Sequence, residues 1–171
     1  LSSTPLYSSA ASDVYKRQDL VRNMSDNIIT VLYGTENGNS ELIAMDICSA
    51  GEELGLECEN FGMEEIEHDD FASFNNLLIV CSTWGDGEQP DNAIDLYEFV
   101  EGLGDGDLSD TKFSVLALGD TAFDLFCEAG IQWDNVLEEK GASRVHDRVD
   151  CYVDYEDDAE EWIDSVLKVF S

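Results

Sequence analysis

The stretch NLLIVCSTWGDGEQPDNA, residues 76–93, joins a continuous apolar run to a glycine-rich turn that carries a single tryptophan. An apolar run without alternation is typical of a strand that is covered on both faces of a parallel sheet. Trp84 follows this strand and is flanked by small residues, glycines and acids. A large aromatic side chain at an exposed strand end is unfavourable unless a flat group covers it. The stretch therefore predicts a buried strand that ends in a ligand-binding loop.

Short apolar runs alternate with longer helical stretches on both sides of this strand. Strands are predicted in residues 28–33, 56–61, 76–82 and 112–119, and a fifth strand is predicted within residues 143–153. Helices are predicted in residues 40–54, 91–103, 127–142 and 156–170. Repeated strand–helix alternation predicts an α/β fold with a parallel sheet and helices on both of its faces. Such sheets bind ligands at the carboxyl ends of their strands, so a ligand is expected at the loops after Tyr33, Cys81 and Leu118.

The first predicted helix has an apolar face that is expected to pack on the sheet. The side chains assigned to this face by their helical spacing are Leu42, Ile43, Ile47, Ala50 and Leu54. Gly55 then ends the helix.

The charge of the chain is strongly negative. Its 171 residues suit one domain, and 39 Asp and Glu against 8 Lys and Arg give a net charge of −31. No Lys or Arg occurs between Arg22 and Lys112. A nucleic-acid partner is therefore excluded, because phosphate contacts need clustered cations. Two explanations of the acidity stay open: adaptation to salt, and steering of a basic protein partner. No apolar run approaches the roughly 18 residues of a membrane span.

The first 23 residues differ in character from the rest of the chain. They are rich in serine, lack periodicity and contain no apolar core of a signal peptide. We expect residues 1–23 to be a non-native or disordered extension, Met24 to be the true start, and residues 24–171 to form the domain.

Five cysteines are scattered along the chain, at positions 48, 58, 81, 127 and 151. They form no C-x-x-C pair and show no regular spacing. This pattern predicts reduced core thiols in a cytoplasmic protein.

The first candidate loop is GTENGNSE, residues 34–41, which lies between a predicted strand and a predicted helix. Its backbone N–H groups and the helix N-terminus would form an anion site. The loop lacks the G-K-[ST] of nucleoside-triphosphate loops and has no lysine nearby, so it suits a single phosphate held by neutral donors. The alternative is an ordinary helix start, with Asn39 or Ser40 as N-cap.

The third candidate loop is LGDTAFDLFCEAG, residues 118–130. It places Gly119 and Asp120 at a strand end and Phe123 three residues later. Trp84 and Phe123 lie on separate loops and could enclose a planar ring between them. Taken singly, each aromatic could instead be a core residue at the edge of the surface.

These three loops, in this order, resemble those of the flavodoxin family. YGTENGNSE is similar to the flavodoxin phosphate loop, STWGD to its tryptophan loop and LGDTAFDLFCEAG to its third flavin loop. The resemblance extends from Ile28 to Phe170, and GEQPDNA and TENGNSE are also similar to the FMN domains of diflavin reductases. It implies a doubly wound, five-stranded parallel sheet with strand order 2-1-3-4-5 and noncovalently bound FMN.

The resemblance also implies which residues hold FMN. The phosphate is expected on the first loop, at Thr35, Glu36, Asn37, Gly38, Asn39 and Ser40. Trp84 would stack on one face of the isoalloxazine ring and Phe123 on the other. The ring edge and the ribityl chain would be contacted, mainly through backbone atoms, by Ser82, Thr83, Gly85, Asp86, Gly119, Asp120, Phe126 and Cys127. In the family, the glycine after the tryptophan turns its carbonyl toward flavin N5 when that atom gains a proton, and Gly85 occupies this position.

The chain departs from the family pattern at two of these positions. Asn37 stands where a threonine is usual, and Phe123 stands where most flavodoxins have tyrosine. The segment SRVHDRVDCYVDYEDDAEEW leaves no room for the loop that interrupts the fifth strand of long-chain flavodoxins. The resemblance is therefore to the short-chain type.

The resemblance implies a cytoplasmic carrier of single electrons, with no catalytic residues and no metal. Its partners would have basic faces: a donor of the ferredoxin- or flavodoxin-NADP reductase type and an electron-accepting enzyme. A monomer is expected, and the negative charge predicts a low potential for the second reduction of FMN. Two alternatives stay open: an FMN domain detached from a diflavin reductase, and a stand-alone FMN-dependent quinone reductase.

Overall fold

The computed structural model describes residues 28–119 and 126–171. Its centre is a parallel sheet built from β1 (Ile28–Gly34), β2 (Glu57–Gly62), β3 (Asn76–Ser82), β4 (Lys112–Leu118), β5 (Ser143–Arg144) and β6 (Val149–Cys151). The strand order is β2-β1-β3-β4-β5, and β6 also pairs with β4. The predicted fold class, a five-stranded parallel sheet in order 2-1-3-4-5, is confirmed.

The fifth strand of the sheet consists of two short pieces, β5 and β6. Both pair with β4, and residues 145–148 separate them. Arg148, in this interruption, donates from Nη1 to Asp134 Oδ2 at 2.9 Å and from Nε to Asp150 Oδ1 at 2.7 Å. Arg144 donates from Nε to Asp134 Oδ1 at 2.9 Å. One buried carboxylate, 4% exposed, thus holds both pieces of the strand.

The helices are α1 (Asn39–Glu53), α2 (Ile94–Glu101), α3 (Glu128–Glu139) and α4 (Glu156–Phe170). Alternate side chains of a strand point to opposite faces, and β3 shows this clearly. Leu77 and Ile79 belong to the core that contains α2 and α3 residues. Leu78 and Val80 belong to the core that contains α1 and α4 residues. All four side chains are fully buried, which explains the unbroken apolar run of the sequence.

The packed face of α1 differs from the prediction. Leu42 and Leu54 are 55% and 57% exposed, so their assignment to the packed face is wrong. The helix buries the predicted Ile43 and Ile47, and the rest of its packed face consists of the small residues Ser40, Ala44, Cys48 and Gly51. An ideal Cβ on Gly51 would lie 3.6 Å from Cys58 Cβ, in ordinary van der Waals contact, so this face lies against β2. The helical spacing of apolar residues alone had placed the larger side chains of Leu42 and Leu54 on the packed face.

Two of the five cysteines form a disulfide, which corrects the prediction that all five are reduced. Cys48 of α1 and Cys58 of β2 are bonded, with their Cα atoms 5.1 Å apart. That separation lies within the usual disulfide range of roughly 4.4–6.8 Å. The bond is possible because the connection after α1 folds β2 directly beneath the helix. Cys81, Cys127 and Cys151 are free and buried.

The free thiols should be inert in the folded protein. Burial raises the pKa of the Cys127 and Cys151 thiols to about 12, and burial also raises the pKa of Cys81. Since the thiolate is the reactive form, we expect Ellman's reagent at pH 8 to label the native protein far more slowly than free cysteine. In denaturant without reductant, three thiols should titrate, and five after reduction. Five thiols before reduction would contradict the disulfide.

Within the described residues, no helix is long and apolar enough to cross a lipid bilayer.

Candidate functional site

A cavity of about 360 Å³ lies at the carboxyl ends of the strands. Three connections meet there: the loop between β1 and α1, the turn after β3 and the segment after β4. The topology explains this, because β1, β3 and β4 are neighbours in a parallel sheet and end at one edge. The cavity is lined by Asn37, Asn39, Ser82, Thr83, Trp84, Gly85, Leu118, Gly119, Phe126, Cys127, Tyr152, Val153 and Tyr155. Its volume falls in the roughly 300–1,000 Å³ range of small-molecule sites.

The loop between β1 and α1 is shaped by its own side chains. Thr35 Oγ1 accepts a hydrogen bond from Gly38 N at 2.8 Å, and Asn37 Oδ1 accepts one from Asn39 N at 3.1 Å. Gly38, with a left-handed φ of 92°, is the N-cap of α1. The alternative of Asn39 or Ser40 as N-cap is therefore wrong. Gly38 has no side chain to accept from the first-turn N–H groups, and apart from Asn39 N, which Asn37 binds, this suits an anion site.

Two contacts fasten this loop to the segment after the tryptophan turn. Asn92 Oδ1 accepts a hydrogen bond from Thr35 N at 2.9 Å. The Glu36 carboxylate accepts one from Asp91 N at 2.8 Å. The Glu36 side chain thus braces the loop from outside the cavity, and any contact with an anion would come from its backbone.

The tryptophan turn, residues 84–88, is a tight closed loop. Trp84 N donates to Glu88 O at 2.8 Å, and Glu88 N donates to Trp84 O at 2.7 Å. Gly85 has a φ of +53° and an ideal Cβ there would lie 3.1 Å from Glu88 Oε1, so the turn favours glycine. The Trp84 side chain is 54% exposed at the mouth of the cavity. The flat group predicted to cover it would have room there.

The segment after β4 approaches the start of α3 very closely. An ideal Cβ on Gly119 would lie 2.6 Å from Cys127 N, so only glycine fits at this strand end. Gly119 N donates to Cys151 O at 2.9 Å, which joins the segment to β6. Cys127 has a left-handed φ of 59° at the N-cap of α3. Phe126 lies beside Tyr152, with ring centroids 5.9 Å apart and planes at 44°.

The structure brings many of the predicted site residues to this cavity. Those that line it are Asn37, Asn39, Ser82, Thr83, Trp84, Gly85, Gly119, Phe126 and Cys127. Those that are nearby in the chain but do not line it are Thr35, Glu36, Gly38, Ser40 and Asp86. Ser40 is fully buried and shares a hydrogen bond of 2.7 Å with Ser82 Oγ. Asp120 and Phe123 lie outside the described residues.

The sequence-based prediction missed the wall of the cavity that follows the fifth strand. Tyr152, Val153 and Tyr155 line it, and Tyr152 and Val153 are 45% and 67% exposed. The signal was present as aromatic and apolar residues in CYVDY, directly after a predicted strand. These residues lie outside the three loops that resemble those of flavodoxins, so the resemblance does not assign them to the site.

The described residues that line the cavity carry no formal charge. Among the described residues, no lysine or arginine lines the cavity. Beside it, Tyr33 donates from its hydroxyl to Glu41 Oε2 at 2.9 Å. Burial and this hydrogen bond to Glu41 raise the pKa of Tyr33 to about 12, so the hydroxyl stays protonated at neutral pH. An anion in the cavity would depend on neutral N–H and O–H donors.

A family model described as flavodoxin matches residues 31–162 of the chain. The chain belongs to the flavodoxin family. Among solved structures, it is 26% identical to the flavodoxin of Streptococcus pneumoniae TIGR4, with a TM-score of 0.73 over 82% of this chain and 95% of that one. It is also 27% identical to flavodoxin 2 of Bacillus cereus, with a TM-score of 0.70 over 83% and 96% of the two chains.

Curated relatives include larger flavoproteins. The chain is 42% identical over 140 residues to the sulfite reductase [NADPH] flavoprotein alpha-component of Bacillus subtilis, which covers 82% of this chain and 23% of the relative. It is 33% identical over 160 residues to the corresponding protein of Vibrio parahaemolyticus, covering 94% and 26%. The chain thus spans about a quarter of the length of these relatives.

FMN is the cofactor of this flavodoxin-family domain, and the cavity suits it. Its lining includes Asn37 and Asn39, beside the N-terminus of the 15-residue α1. It also includes the aromatic side chains of Trp84, Phe126 and Tyr152. A molecule that carries both a phosphate and a planar ring matches this combination of polar amide groups and aromatic rings.

Proposed function

We propose that this domain carries single electrons on noncovalently bound FMN between redox proteins and catalyses no reaction of its own. The observation that carries the proposal is the cavity, which is lined by Asn37 and Asn39 from the start of α1 and by the exposed aromatic side chains of Trp84 and Tyr152. FMN supplies the chemistry, since it accepts and releases electrons singly. The protein binds FMN, orients it and sets how much free energy it costs to add negative charge to it.

The phosphate would be held by the loop from Thr35 to Ser40. Thr35 and Asn37 shape the loop by accepting from the N–H groups of Gly38 and Asn39, so the phosphate would depend on the other N–H groups of the loop and of the first turn of α1. Asn39 adds an amide side chain at the cavity wall. Neutral donors of this kind bind a dianion without a counter-cation.

The ring would be enclosed by Trp84 and Phe123, with Tyr152 and Phe126 at the adjoining wall. Ser82, Thr83, Asp86, Gly119, Asp120 and Cys127 would make the remaining contacts, mainly through their backbone atoms. Gly85 would supply a carbonyl that changes its orientation, because a glycine with a φ of +53° has access to more than one turn conformation. These contacts would exclude water from most of the ring.

The charge of the domain would set the order in which electrons are accepted. A net charge of −31 raises the free energy of additional negative charge in the cavity, to an extent reduced by solvent and salt. We therefore propose a low potential for the second electron. The same acids would steer basic faces of partner proteins, such as an NADP-dependent reductase as donor and an enzyme as acceptor. We propose a cytoplasmic monomer.

A second setting for the same chemistry is the FMN module of a diflavin reductase. The identity of 42% to a sulfite reductase flavoprotein favours it. In this setting, the electrons would come from a flavin domain of the same protein, and sulfite reduction would be the ultimate use. Single-electron carriage on FMN is common to both settings.

The test is an anaerobic, stepwise reduction of the FMN-loaded protein with dithionite, followed by visible absorption. Two resolved one-electron stages are expected. A single two-electron stage, or steady NAD(P)H-dependent quinone reduction without a partner protein, would favour the quinone reductase instead. A protein that takes up no FMN would overturn the proposal.

A further inference from the structure

Gln89 follows the tryptophan turn and makes an unusually complete set of hydrogen bonds. Its Nε2 donates to Ala129 O at 3.1 Å and to Gln132 Oε1 at 3.0 Å. Its Oε1 accepts from Trp133 Nε1 at 3.0 Å. Both N–H donors and the carbonyl of one side-chain amide are therefore satisfied by the first two turns of α3.

The other end of the tryptophan turn is fastened to the same place. Thr83 Oγ1 accepts a hydrogen bond from Ala129 N at 3.1 Å. Thr83 N donates to Leu118 O at 3.0 Å, at the end of β4. The residues just before and just after the turn thus hold the N–H and the C=O of a single residue, Ala129.

Between these two attachments, the turn has little packing of its own. Trp84, Gly85 and Asp86 are exposed, and the turn is closed by the two hydrogen bonds between Trp84 and Glu88. Ala129 lies two residues after Cys127, where the third loop enters α3. The attachments therefore join the tryptophan turn to the third loop.

We infer that Gln89 is a positioning residue, whose side-chain amide holds the turn so that Trp84 stands ready at the cavity mouth. The consequence for FMN rests on the proposed function, whereas the consequence for the turn does not. A turn held in place before binding loses less conformational entropy when the ligand arrives. Removing the amide should leave the fold intact, loosen the turn and weaken FMN binding.

The test compares Gln89→Met, which keeps the length of the side chain but has no amide, with the matched variant Thr111→Val. The Thr111 hydroxyl donates to Phe74 O at 2.9 Å and is buried at the opposite end of the sheet. Both substitutions should lower stability, and Gln89→Met should lower it more, because it removes three side-chain hydrogen bonds where Thr111→Val removes one. Gln89→Met alone should act on the turn.

Two quantitative measurements follow on each protein, with one NMR resonance as a further check. In the FMN-free protein, the hydrogen-exchange rates of the Trp84 and Glu88 amides in D₂O should be about tenfold higher in Gln89→Met than in the wild type. The same rates should be unchanged in Thr111→Val. The indole N–H resonance of Trp133 should also shift, because it loses its acceptor. FMN affinity, from fluorescence titration, should fall about tenfold in Gln89→Met and less than twofold in Thr111→Val.

Gln132→Met provides a milder version if Gln89→Met does not fold. It removes one acceptor of the Gln89 amide, and we expect two- to threefold effects on both measurements. Unchanged exchange of the Trp84 and Glu88 amides, or equal acceleration in Thr111→Val, would overturn the inference. A wild-type protein that binds no FMN would overturn the proposed function instead, while the exchange comparison would still decide the role of Gln89.

Discussion

Replacing Trp84 with alanine should weaken FMN binding by about 30- to 140-fold. The side chain is 54% exposed without a ligand, and a planar ring stacked on it would remove most of that apolar surface from water. Burial and stacking of one large aromatic are together worth about 2–3 kcal/mol, which corresponds to this loss of affinity. Fluorescence titration of the FMN-free protein with FMN measures it directly.

Two further variants show whether stacking is the cause. Trp84→Phe keeps an aromatic face and should recover most of the affinity. Leu54→Ala removes a similarly exposed apolar side chain, 57% exposed at the C-cap of α1 and outside the cavity lining, and should change the affinity less than twofold. If Trp84→Ala bound FMN within threefold of the wild type, the ring would have to lie elsewhere.

Replacing Asp134 with asparagine should lower the free energy of unfolding by about 2–3 kcal/mol. Each oxygen of this carboxylate accepts a hydrogen bond of 2.9 Å from an arginine, and the side chain is 6% exposed. Asparagine keeps the shape but loses the charge and turns an N–H₂ donor toward one arginine. Breaking a buried pair costs about 3–5 kcal/mol, and the 24% exposure of both arginines reduces that figure.

Urea denaturation monitored by circular dichroism measures this change, and a fall of about 4–12 °C in Tm should accompany it. Glu138→Gln is the matched control, since Glu138 also pairs with Arg144 at 2.9 Å but its side chain is 61% exposed. That exposed pair should contribute less than about 1 kcal/mol. Equal effects from the two variants would mean that Asp134 is not what holds the broken fifth strand.

The predicted fold agrees with the structure in those helices and strands whose whole length is subject to a single physical constraint, such as burial on both faces. The unbroken apolar run of β3 has no other explanation than burial on both faces, and Leu77–Cys81 are fully buried. The helix predicted at residues 156–170 matches α4 to the residue, because its apolar side chains recur with helical spacing behind an acidic first turn. The assignment of Leu42 and Leu54 to the packed face of the first helix failed, because an apolar side chain is not necessarily a buried one.

The sequence predicted those parts of the candidate site that consist of short motifs of consecutive residues. Each of these motifs contains the residue types that favour a turn, so the sequence alone indicates it. They are the loop at Thr35–Ser40, the turn at Trp84 and the strand end at Gly119. Tyr152 and Gln89 could not be assigned in this way. Their roles depend on what the sheet brings beside them: Phe126 for Tyr152, and Ala129 with Trp133 for Gln89.

The parallel α/β fold, the flavodoxin resemblance, FMN as cofactor and the three loops follow from the sequence, because each depends on residues close together in the chain. The Cys48–Cys58 bond, the division of the fifth strand around Asp134, and the attachment of the tryptophan turn to α3 become visible in the folded molecule alone. These depend on distances of a few ångströms between residues far apart in the chain or on different elements. Such distances are set by how helices pack on the sheet, which apolar spacing does not specify.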